Sequence, residues 1–337
     1  MRFSQVTGAG TLFLLDKSPD NGELEQGLQQ HRFCEPASIK DSVTLGWTTF
    51  KNYLETGFDD INDWLFQHHA LFCLRMDTRK VPGSVMSAHL GIRVDEWCKE
   101  HQRARCPSSV KTELREQLQL SLLPHFFPKT KVVPVLWDLQ ENWVLVGSYT
   151  EAVLESFRKM LFETFGVTAT VWTPMNWLED ALREGFEDTP GASVHDFLAW
   201  LWYCAENREK LQGSDFWVGK RVCLGDDDSR VVLTGDSPSG MAEGATALKA
   251  NRKVLGLDVC FRKDEQEYAV RLTPSLQLRN VKIPTVVTSG DEQFYDNVYL
   301  IEHLREILKG VFVEFAEWRT ENWDVVTEDM KKWLDAK

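Results

Sequence analysis

The sequence predicts an α+β fold: mixed sheets with βαβ-like units, a projecting αα-hairpin, and a C-terminal antiparallel sheet with a long helix. Three observations predict it. Apolar runs alternate with amphipathic stretches in the first half, two helical patterns meet near Pro107, and five short strand patterns follow residue 215. With 337 residues, 43% of them hydrophobic, the chain is long enough for two or three subdomains.

The first elements belong to a central α/β domain. Residues 11–15 are an apolar run typical of a buried strand, and residues 22–30 are compatible with a helix. Residues 43–50 and the apolar run within 64–76 predict further pieces of the same mixed sheet. We therefore assign residues 1–80 to the first part of this domain.

Residues 81–130 predict the helical hairpin, which would form the tip of the molecule. Ser84 is a candidate N-cap for its first helix and Ser109 for its second. The break between them falls at Pro107. Pro124 ends the second helix, because a proline inside a helix removes a backbone hydrogen bond.

The remaining chain continues the α/β pattern and then becomes antiparallel. Residues 131–175, with a helix pattern at 151–165, are the second part of the central domain. Residues 176–320 form a base domain, with a flexible loop at 235–244, and residues 321–337 form a charged tail. Helix patterns in the base domain occupy 194–205 and 297–318, and strand patterns occupy 216–224, 230–234, 254–261, 268–272 and 277–283.

Two stretches are basic in a chain whose formal net charge is −13. Residues 99–131 hold seven Lys or Arg against three Glu, and residues 245–263 hold five against one Asp. Because the local field decides what binds, both are candidate polyanion contacts, with an ordinary solvated face as the alternative for each. The candidate contacts are Arg103, Arg105, Lys129, Lys131, Lys249, Arg252 and Lys253.

The first basic stretch ends in an apolar run from Leu122 to Phe127. Both Phe126 and Phe127 can fill the core at the end of the helix, which is the commoner position for such side chains. Alternatively, one of them is exposed on the hairpin. An exposed apolar side chain marks an interface, either with DNA or with a second copy of the chain across a two-fold axis.

The sequence contains none of the common catalytic motifs: no Walker A, G-x-G-x-x-G, G-x-S-x-G or H-E-x-x-H pattern. Asp226, Asp227 and Asp228 are candidate Mg²⁺ ligands, but a solvated turn is the commoner role of such a run. Seven scattered cysteines without a C-x-x-C pair indicate reduced thiols in a cytoplasmic protein. Leader and membrane-spanning patterns are not found. We predict no enzymatic activity, no cofactor and no metal.

Four motifs in their order resemble the RdgC family of recombination-associated bacterial proteins. They are Leu45-Gly46-Trp47, the run from Leu122 to Phe127, the strand and helix at 143–166, and Leu255-Gly256-Leu257-Asp258. The resemblance implies a ring-shaped homodimer that encloses duplex DNA with little sequence preference and takes single-stranded DNA as a further ligand. It also implies restraint of RecA by competition for DNA, a nucleoid location and no membrane contact.

The resemblance also implies roles for particular residues. Phe127 matches the aromatic residue at the gate of the ring. His125 stands where the family commonly has Arg, and a neutral imidazole binds phosphate less strongly at pH 7. Arg103 and Arg105 flank the place of another basic residue of the hairpin.

This chain departs from the family in the late sheet. Gly235-Asp236-Ser237 takes the place of a basic and Gln cluster, and the basic residue expected before Leu255 falls at Val254, with Lys253 beside it. Two alternatives therefore stay open. One is a metal-dependent DNA nuclease, an activity sometimes attached by name to the family. The other is a phage- or plasmid-adapted relative that acts mainly through protein partners.

Overall fold

Strands form much of this fold, and every strand pair with a described register is antiparallel. The structure is a computed structural model that describes residues 9–36, 42–188, 194–208, 210–226, 228–274, 278–288 and 291–337. Its helices and its large antiparallel sheet confirm the predicted α+β class. The mixed sheets with βαβ-like units stay a prediction, since the described registers are those of antiparallel pairs. Over these described ranges, no helix combines the length and the apolarity needed to cross a membrane.

The elements are numbered in chain order. The strands are β1 (Ala9–Leu15), β2 (Val43–Thr49), β3 (Leu65–Phe66), β4 (His69–Thr78), β5 (Lys129–Asp138), β6 (Trp143–Val146), β7 (Ala169–Val171), β8 (Lys210–Leu211), β9 (Ser214–Gly225), β10 (Arg230–Thr234), β11 (Lys253–Lys263), β12 (Gln266–Leu272) and β13 (Leu278–Lys282). The helices are α1 (Asn21–Gln30), α2 (Gly83–Glu100), α3 (Ser108–Leu122), α4 (Glu151–Phe165), α5 (Asp180–Asp188), α6 (Val194–Asn207), α7 (Ala242–Lys249), α8 (Asp291–Glu321) and α9 (Trp323–Asp335).

The chain divides into two compact units. The first comprises Met1–Ser18, Leu136–Ser156 and Thr168–Lys337. Its strands lie in the order β10, β9, β11, β12, β13, β1 and β6, while β7 also pairs with β1 and β8 with β9. Along β11, Val259 and Phe261 are buried while Asp258, Cys260 and Arg262 are not, as expected for a sheet with one face on a core.

Aromatic side chains of α6 and α8 form the core beneath this sheet. The ring of Phe197 on α6 lies 5.1 Å from that of Phe312 on α8, and Trp200 lies 5.5 Å from Phe315. All four side chains are at most 1% exposed. Burial of large aromatic rings of this kind contributes strongly to the stability of the first unit.

Two helices of the first unit occupy stretches for which other structure was expected. The start of α7 lies in the predicted flexible loop at 235–244, and α9 occupies most of the predicted charged tail at 321–337. Val326 and Trp333 of α9 are buried. Met330, which lies between them in the sequence, packs against the same core. Their spacing of four and three residues is that of an amphipathic helix, so the sequence did carry this signal.

The second unit comprises Pro19–Val135 and Phe157–Val167, and its strands lie in the order β5, β4 and β2, with β3 beside β4. Trp47 of β2 is fully buried, and its Nε1 donates to Thr164 Oγ1 at 2.9 Å. The neighbouring Gly46 packs directly on the backbone of Phe33, where an added Cβ would lie 2.3 Å from the Cα atom. Only glycine fits that approach, which explains the Leu45-Gly46-Trp47 motif.

Helices α2 and α3 pack against each other in the second unit. Met86 and Leu90, near the start of α2, share a buried cluster with Leu118 and Leu123, at the end of α3. The two helices are therefore antiparallel, joined by the connection 101–107.

The helix starts of this hairpin differ from the predicted ones. Pro82 and Pro107 occupy the N-cap positions, not Ser84 and Ser109. Proline suits the start of a helix because its fixed φ is compatible with the first turn and no partner is needed for the missing N–H.

Candidate nucleic-acid interface

The segment after α3 places one phenylalanine in the core and the next in solvent. Phe126 is partly buried against the core of the hairpin, whereas Phe127 is 96% exposed. Phe126 has extended backbone angles, φ −106° and ψ 137°. Consecutive side chains of an extended chain point in opposite directions. Phe126 therefore has the core position of the first alternative, and Phe127 has the exposed position of the second.

Hydrogen bonds hold this segment against β4. Arg79 Nη1 donates to the carbonyl oxygen of Phe126 at 2.9 Å, and Thr130 hydrogen-bonds to the carboxylate of Asp77. Asp77 also receives two hydrogen bonds from Arg75, at 3.0 Å and 2.8 Å. These contacts fix the backbone on both sides of Phe127.

Asp77 and Arg75 form a buried ion pair, with side chains 6% and 10% exposed. Burial acts to raise the pKa of Asp77, but hydrogen bonds from Arg75 and Thr130 and the charges of Arg75 and Arg79 outweigh it, so the pKa lies below its ordinary value. The Arg75 guanidinium also lies 3.9 Å from the ring centroid of Phe33. This ion-pair network was not predicted from the sequence. Its signal was the pair Arg75 and Asp77, charged residues two positions apart in an otherwise apolar strand.

Three basic residues lie within four positions of Phe127 in the sequence. His125 is exposed in a single 3-10 turn, and Lys129 and Lys131 are exposed at the start of β5. Lys129 and Lys131 are two residues apart on a strand, so they leave the same face of it. The predicted contacts His125, Lys129 and Lys131 thus share one short segment with the exposed ring.

Arg103 and Arg105 lie at the opposite end of the hairpin. Both are exposed in the connection 101–107, where the Arg103 N–H donates to the carbonyl of Cys98 at 3.0 Å. Helix α3 has 15 residues, and a rise of 1.5 Å per residue separates its two ends by about 22 Å. Lys111 and Arg115, four residues apart on one flank of α3, are exposed between these ends.

The late basic residues lie in the first unit. Lys249 is exposed at the end of α7, and Lys253 is exposed at the start of β11, opposite Gly225. Arg252 is half-buried between them, with its Nε 3.9 Å from Asp226 Oδ2. Arg252 and Lys253 thus lie beside the turn between β9 and β10. Both, together with Lys249, belong to a different unit from the hairpin residues.

Asp226 stabilises its own turn. Its Oδ1 accepts hydrogen bonds from Ser229 Oγ, from the Ser229 N–H and from the Asp228 N–H, at 3.0, 2.7 and 3.0 Å. The Ser229 hydroxyl is the main cause that lowers the pKa of Asp226, followed by the two backbone donors. This is the role in a polar turn that the sequence favoured over Mg²⁺ binding. Asp227 lies outside the described residues.

The solvent-facing side of the first unit's sheet carries further cations. Arg271 makes a bidentate pair with Asp258 at 2.5 and 3.0 Å, and Arg262 lies 3.4 Å from Glu267 and 5.3 Å from the ring centroid of Trp217. Because these arginines are paired with acids, they add less positive field than their number suggests.

Comparison with known proteins finds one family model and two curated relatives that share its name. A family model described as "Putative exonuclease, RdgC" matches residues 11–179. A protein of Laribacter hongkongensis (strain HLHK9), named recombination-associated protein RdgC, is 30% identical over 153 residues, which are 43% of this chain and 48% of that protein. A protein of the same name from Pseudoalteromonas translucida (strain TAC 125) is 26% identical over 160 residues, 47% of this chain and 50% of that protein. The chain spans about half the length of the curated relatives it matches.

Proposed function

The chain belongs to the RdgC family, and from this premise we propose that it binds duplex DNA without sequence preference as a ring-shaped homodimer. In this proposal residues 81–130 form the tip, residues 1–80 and 131–175 the central domain, and residues 176–320 the base. Single-stranded DNA is a further ligand, and the protein acts at the nucleoid. The relatives are named recombination-associated, and we propose that this chain modulates RecA by competing for DNA.

The observation that carries the proposal is the exposed ring of Phe127 beside three basic side chains. The Phe127 ring is 96% exposed in the single chain. Its burial would contribute hydrophobic free energy only when another surface covers it. In a two-fold dimer the same patch meets its own copy, and with Phe127 at the axis each ring would cover the other. In this proposal His125, Lys129 and Lys131 flank the contact and bind phosphates.

The residues that match the family model include one of the two groups of basic residues and not the other. Residues 11–179 include the whole hairpin and the segment 125–131, whereas Lys249, Arg252 and Lys253 lie beyond it. We therefore assign the main phosphate contacts to the hairpin residues Arg103 and Arg105 and to segment 125–131. The late cluster is a secondary contact, weakened by the approach of Asp226 to Arg252.

Binding to a duplex of about 30 base pairs across a salt series, with the oligomeric state followed by light scattering, tests the proposal. We expect a dimer whose affinity falls steeply with salt and is equal on unrelated sequences, because phosphate contacts carry no sequence information. A monomer, or a dimer without duplex binding at low salt, contradicts it. The second outcome would favour a relative that acts through protein partners.

The description of the family model names an exonuclease, so nuclease activity is the second candidate function. It is tested with an end-labelled duplex and Mg²⁺, using the Asp226→Asn variant as the comparison. We expect the duplex to stay intact with both proteins, because Asp226 Oδ1 is engaged by three donors of its own turn. Metal-dependent loss of DNA ends that disappears in Asp226→Asn would establish the nuclease instead.

A further inference from the structure

The side chain of Lys337 lies in a small enclosure between helices α6 and α9 of the first unit. Its Nζ is 5.4 Å from the ring centroid of Trp202 and 4.8 Å from that of Trp333. Trp202 is fully buried and Trp333 is 9% exposed, and the two rings stand at 76° to each other. Aromatic faces around one ammonium group attract it through their quadrupoles.

Three oxygen atoms complete the enclosure. Lys337 Nζ donates to Glu206 Oε1 at 2.7 Å and to the carbonyl oxygen of Ser239 at 2.7 Å, and it lies 2.7 Å from Glu206 Oε2. A primary ammonium has three N–H donors. The site therefore matches the hydrogen-bonding capacity of a primary ammonium as well as its charge.

Contacts that do not involve Lys337 hold the enclosure in shape. Glu206 accepts hydrogen bonds from Trp202 Nε1 and Trp333 Nε1, both at 2.9 Å. The outer side of Trp202 packs on Gly244 of α7, where a Cβ would stand 2.7 Å from the ring. Because the two tryptophan side chains and the Glu206 carboxylate hold one another in place, we expect the site to persist when the Lys337 side chain leaves it.

We infer that Trp202, Trp333, Glu206 and the carbonyl of Ser239 form a binding site for a primary alkylammonium group, which Lys337 occupies from within the chain. Lys337 lies two residues beyond the end of α9, so its side chain can leave while the helix stays formed. External groups with this chemistry are the lysine side chain of another protein and a free polyamine. The site does not depend on DNA binding or on the dimer.

Isothermal titration of the full chain tests the inference, with putrescine as the polyamine probe and Nα-acetyl-lysine methylamide as the lysine probe. We expect Lys337→Ala to bind one or both probes at least about tenfold more tightly than the unchanged chain, because the tethered lysine no longer competes. The probe that binds more tightly identifies the source of the natural group. Equal binding by both proteins, or no binding by Lys337→Ala, overturns the inference.

Two controls distinguish a site that selects a primary ammonium group from a general attraction between cations and this acidic chain. Lys337→Met keeps the hydrocarbon chain on the two rings without the ammonium, and we expect it to bind neither probe. Tetramethylammonium is a cation without N–H donors, so it should bind Lys337→Ala at least about tenfold more weakly than putrescine does. If tetramethylammonium binds as well as putrescine, the three oxygen acceptors do not select the ligand and the assignment is wrong. Near-ultraviolet circular dichroism of each variant verifies that the aromatic core is intact.

Discussion

Truncation of Phe127 gives the sharpest test of the proposed dimer. In the folded chain the ring is 96% exposed, so Phe127→Ala should change the free energy of unfolding by less than about 0.5 kcal/mol. Full burial of a Phe side chain in an interface contributes about 1.5–3 kcal/mol, and a two-fold axis buries two of them, about 3–6 kcal/mol together. Since each 1.4 kcal/mol is about tenfold, the dimer Kd should rise at least about 100-fold.

The assay is sedimentation velocity over a dilution series, paired with thermal unfolding of the same samples. Leu120→Ala is the matched control, because Leu120 is an apolar residue of the same hairpin that is 57% exposed. We expect the control to keep the Kd of the unchanged dimer. The reasoning is refuted if Phe127→Ala dimerises normally. It is also refuted if the melting temperature of Phe127→Ala falls by several degrees at the dilutions where both proteins are monomeric, because Phe127 would then pack within its own chain.

Three further predictions concern charge, pH and packing. Replacing Arg103 and Arg105 by Gln should weaken binding equally on unrelated duplexes. Because the proposed dimer carries two copies of each arginine, the slope of log K against log salt should become shallower by roughly 4, measured by anisotropy. Asp77→Asn should destabilise the chain by about 3 kcal/mol at pH 7 in urea unfolding, because it leaves Arg75 buried without its counter-charge. Since the folded pKa of Asp77 is lowered, its contribution is complete above about pH 4 and is lost as the pH falls through the folded value, so the difference between the two proteins should shrink there. Gly46→Ala should lower stability by more than about 3 kcal/mol, because its Cβ would stand 2.3 Å from a backbone atom.

Each of these predictions has an outcome that contradicts it. A loss of affinity restricted to one DNA sequence would show that Arg103 and Arg105 contact bases. A constant stability difference between Asp77→Asn and the unchanged chain from pH 7 to pH 2 would show that the carboxylate does not titrate against the ion pair. A Gly46→Ala protein of normal stability would show that the Phe33 backbone moves freely away from β2.

Local chemistry determined much of the fold from the sequence alone. The helix pattern at 151–165 and the strand pattern at 230–234 have the bounds of α4 and β10. Both elements are defined by residue periodicity and by turn residues at their ends, such as Gly166, whose φ of 61° ends α4. Alternation within the late strands likewise placed Arg262 and Arg271 on the side of the sheet away from the core.

Other features were decided only by contacts between residues far apart in the chain. Phe126 and Phe127 have the same chemistry, and it is the hydrogen bond from Arg79, 47 residues earlier, that fixes the backbone so that one ring is buried and the other exposed. The enclosure of Lys337 joins Glu206 to a residue 131 positions later. Sequence patterns report the periodicity of one segment, whereas packing selects which segments meet, and the candidate sites of this protein lie where they meet.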